Sequence, residues 1–348
     1  MYKKIIRPLL FRLEAERAHK VAHTLLKVLS LQTVYALMPI HDTDPRLTQT
    51  LWNIPFRNPI GVAAGLDKNG EVIPGLASLG FGFVEIGTIT PLPESGNNKP
   101  RVFRLPDDKA ILNSLGFPND GAEKIAQRLK HLSAPIPVGI NIGKQKATPL
   151  DKAVTDYVKC AKLLSPFADF LVVNISSPNL PDLRKLQNFS FLKEVTLAIR
   201  AISSKPLLIK LDPDQDHTHL FMNISSLPVN GLVLCNTTTA FIGLKSPVSG
   251  TGGISGKPLF QRTKALVSQA YVQTKGKLPI IASGGVFTAS DAYQLIKAGA
   301  SLVEMYTALV YEGPKIAKKI QNELPNLLAR DRFKLIAQAI GSAVKSKM

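Results

Sequence analysis

The chain has 348 residues, 45% hydrophobic and 20% charged, a balance that gives a globular fold with ample core: one large domain plus an accessory piece, or two small domains. No uncharged apolar run approaches the roughly 18–20 residues of a membrane span, no secretory signal opens the chain, and two cysteines, Cys160 and Cys235, exclude a disulfide framework or a four-cysteine metal site. The net charge of +18 is uneven, with seven Lys/Arg against two acids in residues 1–30 and eight against two in residues 313–348. Basic ends of this kind imply an anionic surface, either a membrane or a nucleic acid, and the scarcity of cysteine suits a reducing compartment.

Residues 1–45 read as a separate piece. Two short helices are predicted, over 1–11 and 14–31. In the second, Val21, Ala22, Leu25, Leu26 and Leu29 recur near i, i+4, i+8 spacing and make one apolar face, with Lys20 and Lys27 off it. Such a hairpin can lie on a membrane surface or pack its apolar face on the rest of the protein, and periodicity does not choose between them. Residues 41–51 read as a linker.

From residue 58 to 310 short apolar runs recur, over 60–64, 83–88, 138–142, 170–174, 207–210, 232–236, 280–283 and 302–306. Most are separated by stretches long enough for a helix, such as 151–164 and 290–298. Eight buried strands alternating with helices predict an α/β fold, a (β/α)8 TIM barrel with a small N-terminal helical extension. A doubly wound open sheet is the alternative, but no GxGxxG follows the first strand.

In a barrel of this type the chemistry sits where strands end. Those positions hold Gly65 and Lys68; Thr88; Asn141; Asn174, Ser177 and Asn179; Lys210; Asn236 and Thr237; Ser283, Gly284 and Gly285; Tyr306 and Thr307. The set is poor in acids and lacks histidine. His19, His23, His41, His131, His217 and His219 all fall in terminal, helical or linking segments, so neither a metal site nor a Ser-His-Asp hydrolase is expected. Asp67 is the one acid close by and reads as a cap or an ion-pair partner. Asparagine pairs a donor with an acceptor and so matches the imide edge of a pyrimidine or flavin. Lys210 ends an apolar strand, and a buried ammonium there needs an anion, which a reduced flavin can supply, unless it snorkels to solvent. A glycine-rich stretch, 250–256, follows the sixth strand, while Ser283-Gly-Gly285 after the seventh reads as a phosphate-holding loop and Thr288-Ala-Ser-Asp291 as the cap of the following helix. The long segment between the second and third strands, with Asn97–Leu105 and Asn113–Asn119, is expected to cover or line the site.

These motifs resemble dihydroorotate dehydrogenase of the membrane-associated, quinone-reducing class. The likeness is carried by Ala64-Gly-Leu-Asp-Lys68, Glu85-Ile-Gly-Thr88, Lys99-Pro-Arg-Val-Phe-Arg104, Asn141-Ile-Gly-Lys144, Asn174-Ile-Ser-Ser-Pro-Asn179, Gly252-Gly-Ile-Ser-Gly-Lys-Pro258 and Met305-Tyr-Thr307. The resemblance implies oxidation of dihydroorotate to orotate through FMN and then reduction of a membrane quinone. It implies that Ser177 is the base, and that Lys68, Asn113, Ser114, Leu115, Gly116, Phe117, Asn174, Asn179, Asn236 and Thr237 hold the substrate. It further implies FMN contacts from Ala64, Gly65, Leu66, Asp67, Lys68, Thr88, Asn141, Asn174, Lys210, Cys235, Gly256, Gly285, Tyr306 and Thr307. His19, Arg104 and Tyr306 would line the quinone site.

Soluble relatives carry a cysteine as base and lack the N-terminal helices, whereas neither cysteine of this chain lies on the 174–179 loop. A flavin barrel that reduces uridine in tRNA is similar in the barrel, but it too uses a cysteine. The resemblance therefore implies residues 1–45 as an amphipathic membrane and quinone-tunnel domain and residues 46–348 as the FMN-binding catalytic barrel. It also implies a peripheral position on the cytoplasmic face of the bacterial inner membrane, contact with anionic lipid, no nucleic-acid partner and no metal. Cys235, where the family usually has threonine, and Ser283, where it usually has glycine, depart from the pattern. Nothing in the sequence accounts for residues 325–348.

Overall fold

The structure is a computed structural model that describes residues 1–31, 43–248 and 250–345. Eight parallel strands close into a barrel: β1 (Ile60–Val62), β2 (Phe83–Ile89), β3 (Val138–Ile142), β4 (Phe170–Asn174), β5 (Leu207–Leu211), β6 (Gly231–Leu234), β7 (Ile280–Ser283) and β8 (Leu302–Met305). Each pairs with its neighbour in sequence, and β8 returns to β1 through Val303 opposite Ile60. The expected (β/α)8 barrel is therefore the fold, and predicted strand bounds err by two residues at most.

Both faces of these strands are buried, which is why the sequence shows continuous apolar runs. Period-two alternation sorts them. Val84, Ile86, Leu171, Val173, Leu207 and Ile209 face the surrounding helices. Phe83, Phe170, Val172, Leu208, Val233, Ile281 and Leu302 point into the barrel and fill its floor with Phe56. A two-stranded ribbon, Gln49–Leu51 against Ile54–Phe56, seals that floor from below, where Trp52 packs on Phe170.

At the opposite end the long segment after β2 forms an antiparallel hairpin, Val102–Leu105 and Ala110–Asn113. Gly253–Gly256 joins it as a third strand, opposite Ala110–Asn113. None of the eight predicted strands includes it: Gly253–Gly256 pairs its backbone across the barrel mouth. Leu105, Ala110, Leu112 and Ile254 form a small core of their own under this cover.

The N-terminal piece contains helices α1 (Arg7–Arg12) and α2 (Ala15–Leu29), the second capped by the Glu14 carboxylate on the N–H groups of Glu16 and Arg17. The five residues read as one apolar face of α2 divide. Ala22, Leu26 and Leu29 are partly covered by the barrel, whereas Val21 and Leu25 are exposed, Leu25 at 63%. Close approach of α2 requires Gly75, since a Cβ there would stand 2.5 Å from Leu26 O; Ser30 Oγ accepts from Gly75 N at 2.9 Å. Ion pairs add to the docking: Arg101 with Glu16 at 3.1 Å, Lys27 with Glu71 at 2.8 Å, and Lys3 with Glu312.

The tail belongs to the barrel. Helix Ile316–Arg330 buries Ile320, Leu324 and Leu328, and Ile336, Ala339 and Val344 return to the core. Part of the linker read over 41–51, including His41, and the last three residues of the tail lie outside the described residues.

Candidate active site

A cavity opens at the C-terminal ends of the strands, under the three-stranded cover. Its wall takes in Ala64, Gly65 and Lys68 after β1, Thr88 in β2, and Asn113, Leu115, Gly116 and Phe117 from the cover. Asn174, Ser177 and Asn179 enter from the end of β4, Lys210 from β5, and Cys235, Asn236 and Thr237 after β6. Gly256, Gly285, Tyr306 and Thr307 complete it.

Six of the sequence-derived site residues lie elsewhere. Leu66 turns into the hydrophobic core. Asp67 is fully buried, and its carboxylate accepts from the N–H groups of Glu71 and Val72, both at 2.9 Å, fixing the turn before helix Ile73–Ser78. Burial would raise its pKa, but His23 and those N–H groups outweigh burial and hold it below the usual carboxylate value. Ser114 contributes backbone: its N–H donates to Arg101 O and its carbonyl accepts from Asn97. Asn141 lies one layer beneath the wall, where Nδ2 donates to Glu85 Oε1 at 2.6 Å and Oδ1 accepts from Asn174 Nδ2 at 3.1 Å. His19 stands behind Tyr306, ring centroids 6.4 Å apart. Arg104 donates to Leu10 O at 3.0 Å and to Leu13 O, and its guanidinium sits 4.7 Å from the centre of the Phe11 ring, so it holds the end of α1.

The amides form a fixed array. Asn179 Nδ2 donates to Asn113 Oδ1 at 2.9 Å, Asn174 Nδ2 to Thr88 Oγ1 at 2.8 Å, and Asn236 Nδ2 to Ser176 Oγ at 2.8 Å. These bonds leave Asn179 Oδ1 and Thr237 Oγ1 buried in the cavity wall with no hydrogen-bond partner among the described residues. Ser177 is 4% exposed, and its Oγ accepts from Asn179 N at 3.2 Å. Lys68 Nζ donates to Gly65 O at 2.6 Å. Burial lowers its pKa to about 8, with Arg101 acting in the same direction and Glu16 and Asp67 against it.

Arg184 is a site residue that strand-end reading missed. Its Nε donates to Ser176 O at 3.0 Å, Nη2 to Thr237 O at 2.8 Å and Nη1 to Asp214 Oδ2 at 2.9 Å, so one guanidinium ties together the loops after β4, β5 and β6. Its only sequence signal is an arginine shortly after a polar strand end. Cys235 is a neutral thiol, pushed up to about 12 by burial. Its N–H donates to Ser283 O, so both departures from the family pattern meet through backbone.

At the far side, Gly285 has φ +82° and a Cβ there would lie 2.4 Å from Phe260 Cα, so only glycine fits. The next helix, Ala289–Ala298, begins with the expected capping box: Asp291 Oδ2 accepts from the N–H groups of Phe287 and Thr288, and Thr288 Oγ1 accepts from Asp291 N. This pins the 284–287 loop with its backbone along the cavity.

A (β/α)8 barrel whose mouth presents amides, three serines and two lysines, with no metal cluster among the described residues, is built to hold an organic ring and a polar substrate together. Comparison with known proteins narrows the class. The family described as Dihydroorotate dehydrogenase matches residues 46–328. Dihydroorotate dehydrogenase (quinone) of Acidithiobacillus ferrooxidans is 42% identical over 97% of this chain and 98% of its own, and that of Deinococcus radiodurans is 42% identical over 98% and 100%. The ligand-free structure of DHODH from Eimeria tenella superposes with a TM-score of 0.87 at 35% identity, covering 94% of this chain and 99% of that one. The chain belongs to the dihydroorotate dehydrogenase family.

Proposed function

We propose that this protein is a dihydroorotate dehydrogenase of the quinone-dependent class, oxidising dihydroorotate to orotate in pyrimidine biosynthesis with FMN as its cofactor. The observation that carries the reading is the pair of orphaned atoms, Thr237 Oγ1 and Asn179 Oδ1, in a wall that also holds Ser177 and Lys68. Buried polar atoms without partners are costly unless a ligand supplies them. A pyrimidine ring with N–H and C=O edges answers the amides, and its carboxylate answers Lys68.

The residues also suit FMN. Backbone at Gly284, Gly285 and Val286, with Ser255 and Thr307 beside it, forms a cradle for a phosphate, and Lys210 stands on the barrel axis side for the ring. When bound, the flavin supplies the acceptor for the hydride from substrate C6 and passes the electrons on to quinone. Ser177 takes the C5 proton. A serine is a weak base at its free pKa, so its role depends on the 174–179 loop holding Oγ against the ring. Asn113, Asn174, Asn179 and Asn236 orient the ring, and the cover from 102 to 118 keeps water out.

We further assign residues 1–45 to the quinone and membrane contact and residues 46–348 to the catalytic barrel. Ile5, Leu9, Leu13, Val21, Leu25 and Val28 are all exposed on the N-terminal piece, among Lys3, Lys4, Arg12, Arg17 and Lys20. An apolar face ringed by cations suits the surface of an anionic bilayer, and no helix among the described residues is long and apolar enough to cross one. We assign the protein a peripheral position, on the cytoplasmic face. His19 of α2, its pKa lowered to about 3 by burial and by Lys68, is a neutral imidazole beside Tyr306, where we place the quinone.

The test compares turnover of dihydroorotate with quinone, fumarate and NAD as acceptors, and assays FMN released on denaturation. Quinone is expected to be the productive acceptor; turnover only with fumarate or NAD overturns the class. Removing residues 1–45 is expected to abolish quinone reduction and vesicle binding while FMN stays bound, and unchanged quinone kinetics would refute the domain assignment.

A further inference from the structure

One layer below the cavity wall lies a group of charges that the proposed mechanism does not use. Glu85 of β2 and Glu304 of β8 reach the same nitrogen, with Oε1 atoms 2.9 and 3.0 Å from Lys210 Nζ. All three side chains are buried, both glutamates completely. Asn141 Nδ2 gives Glu85 Oε1 an additional donor at 2.6 Å, and Glu304 has no such help. The second oxygens, Glu85 Oε2 and Glu304 Oε2, are buried with no hydrogen-bond partner among the described residues.

Two ionised carboxylates against one ammonium would leave a net negative charge in the dry interior of the barrel. Among the described residues, no other charge faces the group. Beside Glu304, β1 and β7 bring Gly61 and Ser283; β3 and β4 bring the amides of Asn141 and Asn174; β6 leads to the neutral Cys235 thiol. One proton removes the imbalance, and two carboxyls that share a site hold a single proton because both cannot ionise cheaply.

We propose that Glu85 and Glu304 act as a one-proton carboxyl pair, with the proton on Glu304, that keeps the charge of Lys210 cancelled beneath the flavin and thereby tunes the flavin's reduction potential. The proton half of this stands on the barrel geometry alone; the tuning half rests on the cofactor assignment above. Glu304 is a positioning residue, acting through Lys210. Burial first, and Glu85 second, raise Glu304 to about 8 against the pull of Lys210. Below that pH the layer is neutral. Above it the layer turns negative and opposes the entry of electrons into the ring.

The sign for stability follows from linkage. A group whose pKa is raised in the fold contributes stability that is present below its unfolded value and lost as pH rises through its folded value, here from about 4.5 to about 8. Wild type and Glu304→Gln are compared by thermal unfolding of the protein as isolated, from about pH 4 to about pH 10, and by spectroelectrochemical titration of the bound flavin. Glu304→Gln is expected to gain on wild type in Tm across that window and to stay level above it. The two flavin potentials are expected to agree at neutral pH, with the wild type falling below the variant as pH passes about 8.

Parallel unfolding profiles overturn the proton on Glu304, whatever the cofactor. Potentials that track each other at every pH, in flavin-loaded protein, overturn the tuning. A colourless protein overturns the tuning together with the cofactor assignment, and the unfolding comparison then decides the pair by itself. Should Glu304→Gln fail to fold, Glu85→Gln provides the same test. One carboxylate would then face one ammonium, and the pH step must vanish; a step that persists overturns the pair.

Discussion

The floor and the mouth of the barrel use the same inward-facing positions of the same strands, two residues apart. Phe83, Leu208 and Leu302 fill the floor; two positions further along their strands stand Glu85, Lys210 and Glu304. A two-residue step rises about 6.6 Å, and within it the interior passes from interlocked rings to charge pairs and amides. Floor residues are satisfied by one another, as where Phe83 fills the space a Cβ at Gly61 would need. Mouth residues are satisfied only in part: Asn179 Oδ1 and Thr237 Oγ1 are left over in the cavity wall, and Glu85 Oε2 and Glu304 Oε2 in the layer beneath it. The contrast separates stability from chemistry along a single axis.

That separation can be broken experimentally. Ser177→Ala is expected to lose roughly 10²–10⁴-fold in dihydroorotate turnover with FMN still bound, the usual range for a general base; stopped-flow reduction of the flavin reads it, and a wild-type rate would remove Ser177 from the mechanism. Phe170→Ala is expected to cost ~3–5 kcal/mol in chemical denaturation, as a large floor residue should, while KM stays put; a changed KM with unchanged stability would mean that floor and mouth are not separable. Next comes Lys68. Its lowered pKa means that the free site loses its positive charge as pH rises through about 8, so the Kd for orotate should rise above that pH. A charged hydrogen bond of ~1.5–3 kcal/mol sets the ceiling, flavin absorbance titration measures it, and a flat profile would detach Lys68 from the carboxylate. The smallest effect is expected at Arg184→Leu, about tenfold in kcat/KM, since two partly buried carbonyls lose their donor at ~1–3 kcal/mol. Unchanged kinetics would show that the loops after β4 and β6 hold themselves.

Much of this was legible beforehand because buried parallel strands advertise themselves as unbroken apolar runs, and because polar residues crowding onto their ends have few structural uses. The cavity wall follows that logic from Gly65 to Thr307. Thr288 and Asp291 likewise announced a cap that the fold then uses. Reading only strand ends hid Glu85 and Glu304, which sit inside strands. Their signal was present, an acid flanked by apolar residues in a run that must be buried on both faces, and such an acid demands a partner. Asp67, Leu66 and Ser114 fell inside true motifs yet face away from the cavity, since a loop motif fixes a backbone path and not every side chain on it contacts the ligand. The apolar face of α2 split because spacing defines a stripe, whereas the barrel covers only part of its width.

The polar end of β4 is the clearest case of what each level decides. Sequence by itself determined the barrel, the site at the strand ends and the 174–179 loop, because local hydrophobicity and turn chemistry are written residue by residue. Tertiary structure alone decided that Lys210 meets two carboxylates from strands 125 and 94 residues away, that Arg184 binds three loops into one, and that Thr237 and Asn179 each keep one atom free. Those facts depend on which side chains closure of the barrel brings within about 3 Å of each other, and no periodicity along the chain encodes a distance across it.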